Sequence, residues 1–358
     1  RGRTRRAMFA PPSARGEISA RLLAALREPA GGRGDRSPLA QDPVDELVRE
    51  APADDCLADE DLQLALYVCY ELHYRGFDGV DERWEWEPSL LSLRAGLEAA
   101  FERSLRDALG APGAAPAAQD MDLALRAIDA QDDAPSLSRF VEREATLEQL
   151  REFLIHRSAY QLKEADPHSW ALPRLSGPPK AALVEIQADE YGGGRTDRIH
   201  AELFAGSMQA LGLDPRYGAY LEQIPGVTLA TINLMSLFGL HRRWRGAIVG
   251  HLALFEMTSS IPNARYARGI RRLGFDGDAT MFFDEHVEAD SVHENIAATD
   301  LAGGLARQQP AVAGDVLWGA RALTLLEGRW ARHLLDRWEA GESSLRSAVA
   351  GGALAGTL

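Results

Sequence analysis

The nonapeptide HVEADSVHE, residues 286–294, carries the side chains best suited to chemistry. His286 is followed by Asp290 four positions later and by His293 seven positions later. In a helix of 3.6 residues per turn, these three side chains fall within roughly 60° of one another on one face. Two imidazoles and a carboxylate suit iron, manganese or zinc, whereas calcium and magnesium prefer oxygen ligands alone. An ordinary solvated helix face is the alternative, because further acids stand close by: Glu285, Glu288 and Glu294.

Possible partner ligands occur elsewhere in the chain, and their order along it resembles that of di-iron helical bundles. Di-iron helical bundles take one Glu from each of two helices and an E-x-x-H pair from each of the other two. Here the chain supplies Glu164, the pair DRIH at 197–200, Glu256, and the pair DSVH at 290–293. Glu256 is the more informative lone acid, since it lies in the apolar run HLALFEM, where an unpaired charge would be costly. A buried, hydrogen-bonded structural acid is the alternative for Glu256.

Four stretches of the chain resemble the haem-oxygenase-like di-metal oxidase and oxygenase superfamily, which includes the iron-containing redox enzymes. They are HRSAYQLKEADPHSW, VEIQADEYGGGRTDRIHAELFA, the apolar helix around Glu256, and FFDEHVEADSVHE. The similarity runs from about Leu147 to Trp338. It implies an all-α, haem-oxygenase-like helical bundle with an N-terminal helical extension. It also implies two iron ions, Fe2+, per chain and dioxygen, O2, as co-substrate.

The family pattern further implies which side chains hold the metals. Carried over to this sequence, it places one ligand on each of the first three core helices and three on the fourth: Glu164, His200, Glu256, His286, Asp290 and His293. The N-oxygenating branch of the family adds a carboxylate ten residues before the second-helix histidine, where this chain has Glu190. Other branches use an acid three residues before that histidine, where this chain has Asp197. The seventh expected ligand is Glu190, with Asp197 as the alternative.

A glycine run, YGGGR, follows Glu190. Glycine-rich loops before helices can bind phosphate, but neither a following Lys-Ser/Thr pair nor a preceding strand is present here. The run instead predicts a helix break that lets Glu190 and His200 both approach the metals. A plain surface loop is the alternative.

The residues and the resemblance together predict an O2-dependent, non-haem di-iron oxygenase acting on a small amine or an amino-acid-derived metabolite. Glu190 favours N-oxygenation. No catalytic residue is predicted beyond the metal ligands, and the electrons must come from an external donor, because the chain has no motif for a flavin or an iron–sulfur cluster. The first alternative is a di-iron desaturase, or an oxidative C–C lyase or decarboxylase, acting on an amino or fatty acid. The second is a ferritin-like or metal-free helical binding protein.

Composition narrows the range of partners. The 358 residues carry a formal net charge of −14, which argues against the basic surface that nucleic acid requires. Cys56 and Cys69 are too few for a disulfide framework and fit a reducing cytoplasm. The apolar stretches fall short of the ~20 residues that span a bilayer. We therefore expect a cytoplasmic protein with a small-molecule substrate and with neither nucleic acid nor membrane as a partner; a homodimer stays open.

Helical periodicity predicts the elements that position these residues. We expect a flexible lead-in over 1–60 with a short helix near Ile18–Arg27, an N-terminal helical extension over 61–120, the di-iron domain over 121–340, and a frayed tail over 341–358. The helices predicted in the domain are 121–131, 136–165, 178–212, 215–223, 228–240, 244–260, 262–273, 279–298 and 309–339. In the extension, Glu71 is assigned to packing or hydrogen bonding.

Overall fold

Helices make up the regular secondary structure of the part of the chain that the computed structural model describes. That part comprises residues 9–31, 39 and 56–347, without the side chains of 289–292. These residues contain no strand, which confirms the predicted all-α fold. None of their helices combines the length and the apolarity needed to cross a membrane.

The α-helices follow one another along the chain with short turns between most of them. They are α1 (Glu17–Ala25), α2 (Glu60–Glu71), α3 (Pro88–Leu109), α4 (Met121–Ala130), α5 (Leu137–Arg143), α6 (Leu147–Gln161), α7 (Asp166–Ser169), α8 (Gly177–Glu190), α9 (His200–Ala210), α10 (Gly226–Leu240), α11 (Arg245–Arg272), α12 (Asp278–Asn295), α13 (Gly303–Gln308) and α14 (Ala313–Glu339). A π-helical stretch, Ile296–Ala302, joins α12 to α13.

Helix α1 packs on α2 through a capping carboxylate. Asp61, in the first turn of α2, accepts hydrogen bonds from the backbone N–H groups of Ile18 and Ser19, both at 2.8 Å. These donors lie in the first turn of α1 and have no partner within that helix. Leu22 is also fully buried. Helix α1 therefore belongs to the folded core, whereas we expected it within a flexible lead-in. Of the predicted lead-in, residues 1–8, 32–38 and 40–55 lie outside the described residues.

The two long helices α11 and α14 cross so closely that glycine is required on both. A Cβ atom on Gly250 would lie 1.7 Å from the carbonyl oxygen of Val316, and one on Gly319 would lie 2.1 Å from that of Ala247. The two backbones are therefore in direct contact. This crossing lies less than two turns from Glu256 and fixes that part of α11 within the bundle.

Helix α11 continues through Pro262, although the sequence predicts two helices there, 244–260 and 262–273. A proline inside a helix costs ~3 kcal/mol because it removes a backbone hydrogen bond and crowds the preceding turn. Both halves of α11 are buried, however, with Leu252 before the proline and Ile270 after it. Burying each such side chain contributes about 1.5–3 kcal/mol, so packing outweighs the local cost.

Two other predicted helices are split in the structure. The segment 136–165 becomes α5, α6 and a turn over 162–165, and the segment 178–212 becomes α8 and α9. The predicted helix 215–223 is reduced to a single 3-10 turn, Leu221–Gln223. The splits after α6 and after α8 both fall at predicted metal ligands, which makes them part of the site rather than of the scaffold.

The first residues of the predicted frayed tail are anchored to the bundle. Glu152 in α6 accepts hydrogen bonds from the Ser344 backbone N–H at 2.8 Å and from the Ser343 hydroxyl at 2.6 Å. The Arg346 N–H donates to the carbonyl of Gln223 at 2.8 Å. Ser343, Ser344 and Arg346 thus contact the bundle. Residues 348–358 lie outside the described residues.

Candidate metal centre

Predicted ligand side chains meet inside the bundle in two adjoining groups. Within each group the potential ligand atoms all lie within 4.8 Å of one another. We call the groups site A (Glu164, Glu190, His200 and His286) and site B (Glu190, Glu256 and His293). Every one of these side chains is buried. Acids and imidazoles that meet in two groups with one carboxylate in common form a donor set suited to two cations.

Glu164 enters site A from a turn, whereas we expected it on the first core helix. Helix α6 ends at Gln161, and Glu164 lies between α6 and α7. The next residue, Ala165, has φ 72° and is the one non-glycine residue with positive φ among those described. The backbone therefore leaves its helical path at the predicted ligand itself. This places a carboxylate oxygen of Glu164 3.6 Å from Nε2 of His286.

Glu190 and His200 are brought together by the break that the glycine run predicts. Glu190 is the last residue of α8 and His200 is the first of α9, and Glu190 Oε2 lies 2.8 Å from His200 Nδ1. At Gly192, φ is +64°, and a Cβ atom there would lie 2.6 Å from the backbone carbonyl carbon of Arg198. The chain can double back this tightly only with glycine at that position.

The two α12 histidines have their ring orientations fixed by different partners. Nδ1 of His286 donates to the carbonyl oxygen of Phe282 at 2.7 Å, which leaves Nε2 facing Glu164. Nε2 of His293 is bonded to Oδ2 of Asp189 at 2.9 Å, which leaves Nδ1 3.3 Å from Oε2 of Glu256. Histidines that bind metals are usually held by such a bond at their other ring nitrogen. Each ring thus presents one defined nitrogen to its site.

Asp189 is a functional candidate that sequence reasoning missed. It precedes Glu190 on α8 and contacts His293, which is 104 residues away in sequence. Its side chain is 62% exposed, in contrast to that of His293 at 1%. An acid next to a predicted ligand on an otherwise polar stretch gives no signal in the sequence. Only the packing of α8 beside the end of α12 reveals it.

Burial and neighbouring charge shift the pKa values of the site residues in opposite directions. Burial raises the pKa of Glu164, and burial together with the charge of Glu256 raises the pKa of Glu190 to about 8. Burial and the neighbouring His286 lower the pKa of His200 to about 4. For His293, burial lowers the pKa, but the bonds and charges of its carboxylate neighbours outweigh it and raise the pKa to about 9. Without metal the cluster therefore holds protons at neutral pH, which cations would displace.

The donor atoms themselves fit metal ions. Four buried atoms of the cluster make no well-aligned hydrogen bond: Oε2 of Glu164, Oε2 of Glu190, Nδ1 of His200 and Nδ1 of His293. Two of them, Glu190 Oε2 and His200 Nδ1, face each other at 2.8 Å without that alignment. Leaving such atoms buried and unsatisfied costs about 1–3 kcal/mol each, more when they are charged. Cations bound among them would satisfy these atoms, and a mixed nitrogen and oxygen set suits iron, manganese or zinc.

Two predicted positions are not part of the described cluster. Asp197 lies at the surface, with its side chain 71% exposed and 3.0 Å from the guanidinium of Arg195. The backbone of Asp290 is part of α12, but its side chain lies outside the described residues. The structure thus places Glu190 in the cluster and Asp197 outside it. The role of Asp290 as a ligand stays a prediction.

A cleft of about 320 Å³ is lined by Glu164 and His286 and so reaches site A. Its wall includes the paired side chains of Arg157 and Glu327, joined by two hydrogen bonds of 2.9 and 2.8 Å. The Arg157 guanidinium also lies 3.9 Å from the ring centroid of Trp330. A second cavity of about 10 Å³ lies against acids of both sites, and it has room for about one water-sized molecule. The larger cleft can take a small organic molecule.

The comparison with protein families agrees with this geometry. The model of the iron-containing redox enzyme family, a haem-oxygenase-like family, matches residues 151–328. All the side chains of sites A and B fall within this range. The resemblance expected from the sequence is therefore confirmed.

Two individual proteins add to the comparison. Over 149 residues, 41% of this chain and 31% of the other protein, the chain is 28% identical to nitrosourea synthase from Streptomyces achromogenes subsp. streptozoticus. The matched part thus spans about a third of that relative's length. The crystal structure of a CADD-like protein of unknown function from Nostoc punctiforme aligns with a TM-score of 0.50 at 18% identity, covering 61% of this chain and 97% of that one. This second likeness concerns the fold alone.

Proposed function

Residues 151–328 belong to the iron-containing redox enzymes, and on this premise we propose that the protein is an O2-dependent, non-haem di-iron oxygenase. Its substrate is a small amine or an amino-acid-derived metabolite, and its reaction is N-oxygenation. The observation that carries the proposal is the pair of buried sites that share Glu190.

Each side chain of the cluster has a distinct task in this proposal. Glu164, His200 and His286 hold the iron of site A, and Glu256 and His293 hold that of site B together with the predicted ligand Asp290. Glu190 belongs to both sites and neutralises charge in each. When bound, two ferrous ions would supply electrons for the reduction of dioxygen and act on it as Lewis acids. An external donor must restore these electrons.

The protein itself controls protons and access. Iron binding requires that Glu190 and His293 give up the protons that their raised pKa values retain near neutral pH. The Phe282 carbonyl and the Asp189 carboxylate hold their imidazoles in one orientation while this happens. The cleft that reaches Glu164 and His286 is where the substrate binds, on the site A side.

The preference for N-oxygenation is supported by two observations. Glu190, at the spacing typical of the N-oxygenating branch, lies in the cluster, while Asp197 points into solvent. The similarity to nitrosourea synthase, whose name describes the making of an N-nitroso product, is the second. A desaturase or C–C lyase would instead be expected to use an acid at the position of Asp197.

Anaerobic titration with Fe(II), followed by exposure to O2 with candidate amines and mass detection of products, tests the proposal. We expect about two Fe(II) per chain and a product that has gained one oxygen atom. Folded protein that saturates at zero or one iron would overturn the di-iron site. A product that has lost two hydrogens, or a carbon fragment, would replace N-oxygenation by desaturation or cleavage.

A further inference from the structure

The turn that carries Glu164 is held in part from outside the matched family region. This turn, residues 162–165, has an unusual backbone, because Ala165 adopts φ 72°. Residues with side chains rarely adopt this conformation, and it persists only where the surroundings impose it. The contacts of the turn therefore show what sets the position of Glu164.

The first contacts come from the N-terminal extension. Arg75 donates a hydrogen bond from its guanidinium to the carbonyl oxygen of Leu162 at 3.0 Å. Glu71, the last residue of α2, lies 3.1 Å from the ammonium group of Lys163. The extension thus binds both residues that immediately precede Glu164, one through its backbone and the other through its side chain.

The pair formed by Glu71 and Lys163 is fully buried and geometrically specified. Their side chains are 0% and 1% exposed. The Tyr217 hydroxyl donates to the same Glu71 oxygen at 2.6 Å, and the Lys163 ammonium lies 4.1 Å from the ring centroid of Tyr74. A buried ion pair offsets the cost of losing its water only when its geometry and hydrogen bonds are this complete. Such a pair allows Lys163 very little displacement.

The contacts on the other side of the turn come from α8. Gln187 donates from its amide to the carbonyl oxygen of Ala165 at 2.8 Å. The hydroxyl of Tyr191, directly after α8, donates to the carboxylate of Asp166 at 2.9 Å. Because Glu190 lies between these two residues, the helix end that carries one predicted ligand also holds the turn that carries the other.

We propose that Glu71 and Arg75 are positioning residues, by which the N-terminal extension holds the 162–165 turn and sets the place of Glu164 in site A. The extension is then a working part of the metal centre rather than a separate appendage. The role in metal binding rests on the proposed function, whereas the hold on the turn does not.

Hydrogen exchange of the metal-free, full-length protein tests the hold on the turn. The amides of Glu164 and Asp166 bond within this segment, to the carbonyls of Gln161 and Lys163. We expect Glu71→Gln and Arg75→Gln each to speed exchange in a peptide over 160–170 on the order of tenfold. Glu102→Gln is the matched control, because Glu102 also joins the extension to the bundle, through Arg243 at 2.7 Å. Unchanged exchange in both test variants, or equal acceleration in the control, would overturn the proposal.

Anaerobic Fe(II) titration of the same variants tests the consequence for the metal. Loss of a group that orients a ligand weakens metal binding about 10- to 100-fold, so one of two irons should weaken by this factor in Glu71→Gln while the other is retained. Equal weakening of both irons, or of neither, contradicts the assignment to site A. If Glu71→Gln does not fold, Tyr217→Phe can replace it, because it removes only one hydrogen bond to Glu71. Tyr217→Phe should also weaken one of the two irons, by a smaller factor. A wild-type protein that binds no iron would refute the di-iron function and this metal role, while the exchange result still decides whether the extension holds the turn.

Discussion

Sites A and B share Glu190, but their α12 histidines are oriented by different kinds of hydrogen-bond partner. In site A, His286 is bonded to a backbone carbonyl one turn earlier on its own helix. In site B, His293 is bonded to the Asp189 side chain on another helix, and that side chain is largely exposed. The first orientation comes with the helix itself. The second depends on one substitutable carboxylate and on the docking of two helices.

This difference indicates which half of the centre is open to adjustment. A backbone carbonyl cannot be removed by substitution, and its position changes only if the helix does. A surface carboxylate responds to mutation and to solvent conditions. We therefore expect site A to be robust to changes near α12, and site B to respond to them.

The largest expected effect is that of Glu190→Ala, because this residue belongs to both sites. Its loss should weaken at least one iron by about 100-fold or more and reduce the affinity of the other, as the bound charge loses its neutralising ligand. Asp197→Ala, at the surface, should bind iron like the wild type. Anaerobic Fe(II) titration of both variants measures this. If Glu190→Ala bound iron like the wild type while Asp197→Ala lost iron, the ligand would be Asp197 and not Glu190.

The next effect isolates site B. Asp189→Ala should weaken one iron by about 10- to 100-fold and leave the other unchanged, since only His293 loses its orienting bond. Asp189→Asn keeps an acceptor oxygen and should lie between this variant and the wild type. Mössbauer spectra at one equivalent of iron would show which site fills first. Equal weakening of both irons would mean that the two sites are not independently oriented.

A smaller effect concerns the glycine run between Glu190 and His200. Gly192→Ala combines a positive φ with a Cβ clash against the Arg198 backbone, whereas Gly193→Ala has a positive φ and open space. We expect destabilisation of about 2–3 kcal/mol for the first and about 1 kcal/mol for the second. Urea unfolding of the metal-free variants measures the difference. Equal losses would show that the close approach of Arg198 to Gly192 does not constrain the loop.

The smallest effect concerns protons in the metal-free protein. His200, with its pKa lowered to about 4, should be neutral near pH 6, whereas His293, with its pKa raised to about 9, should be charged; imidazole NMR reports both. The unfolded value is about 6.5, so the stability that His293 contributes is full below that pH and is lost as pH rises through about 9. For His200 the contribution is present above about 6.5 and is lost as pH falls towards 4. His293→Gln should therefore destabilise more at about pH 6 than at about pH 10, and equal losses at both would contradict the shift.

Much of the fold follows from local patterns, and the exceptions have identifiable causes. The helical character and the break after Glu190 were predictable, because periodicity and glycine act over a few residues. Pro262 misled the prediction, since the burial of α11 on both sides of it outweighs the local penalty. The turn at Glu164 was not predicted either: Pro167 lies close by, but Ala165 itself gives no sign in the sequence of its positive φ.

The sequence by itself determined the helical class and the donor residues spaced along it, because the 3.6-residue turn converts spacing directly into a shared face. Tertiary structure decided which donors meet and what holds them. It brought Glu190 into the cluster and left Asp197 at the surface, and it joined Asp189 to His293 and Glu71 to Lys163. These pairs are 104 and 92 residues apart in sequence. Contacts at such separations depend on how helices dock against one another, which the spacing of residues within any one helix does not contain.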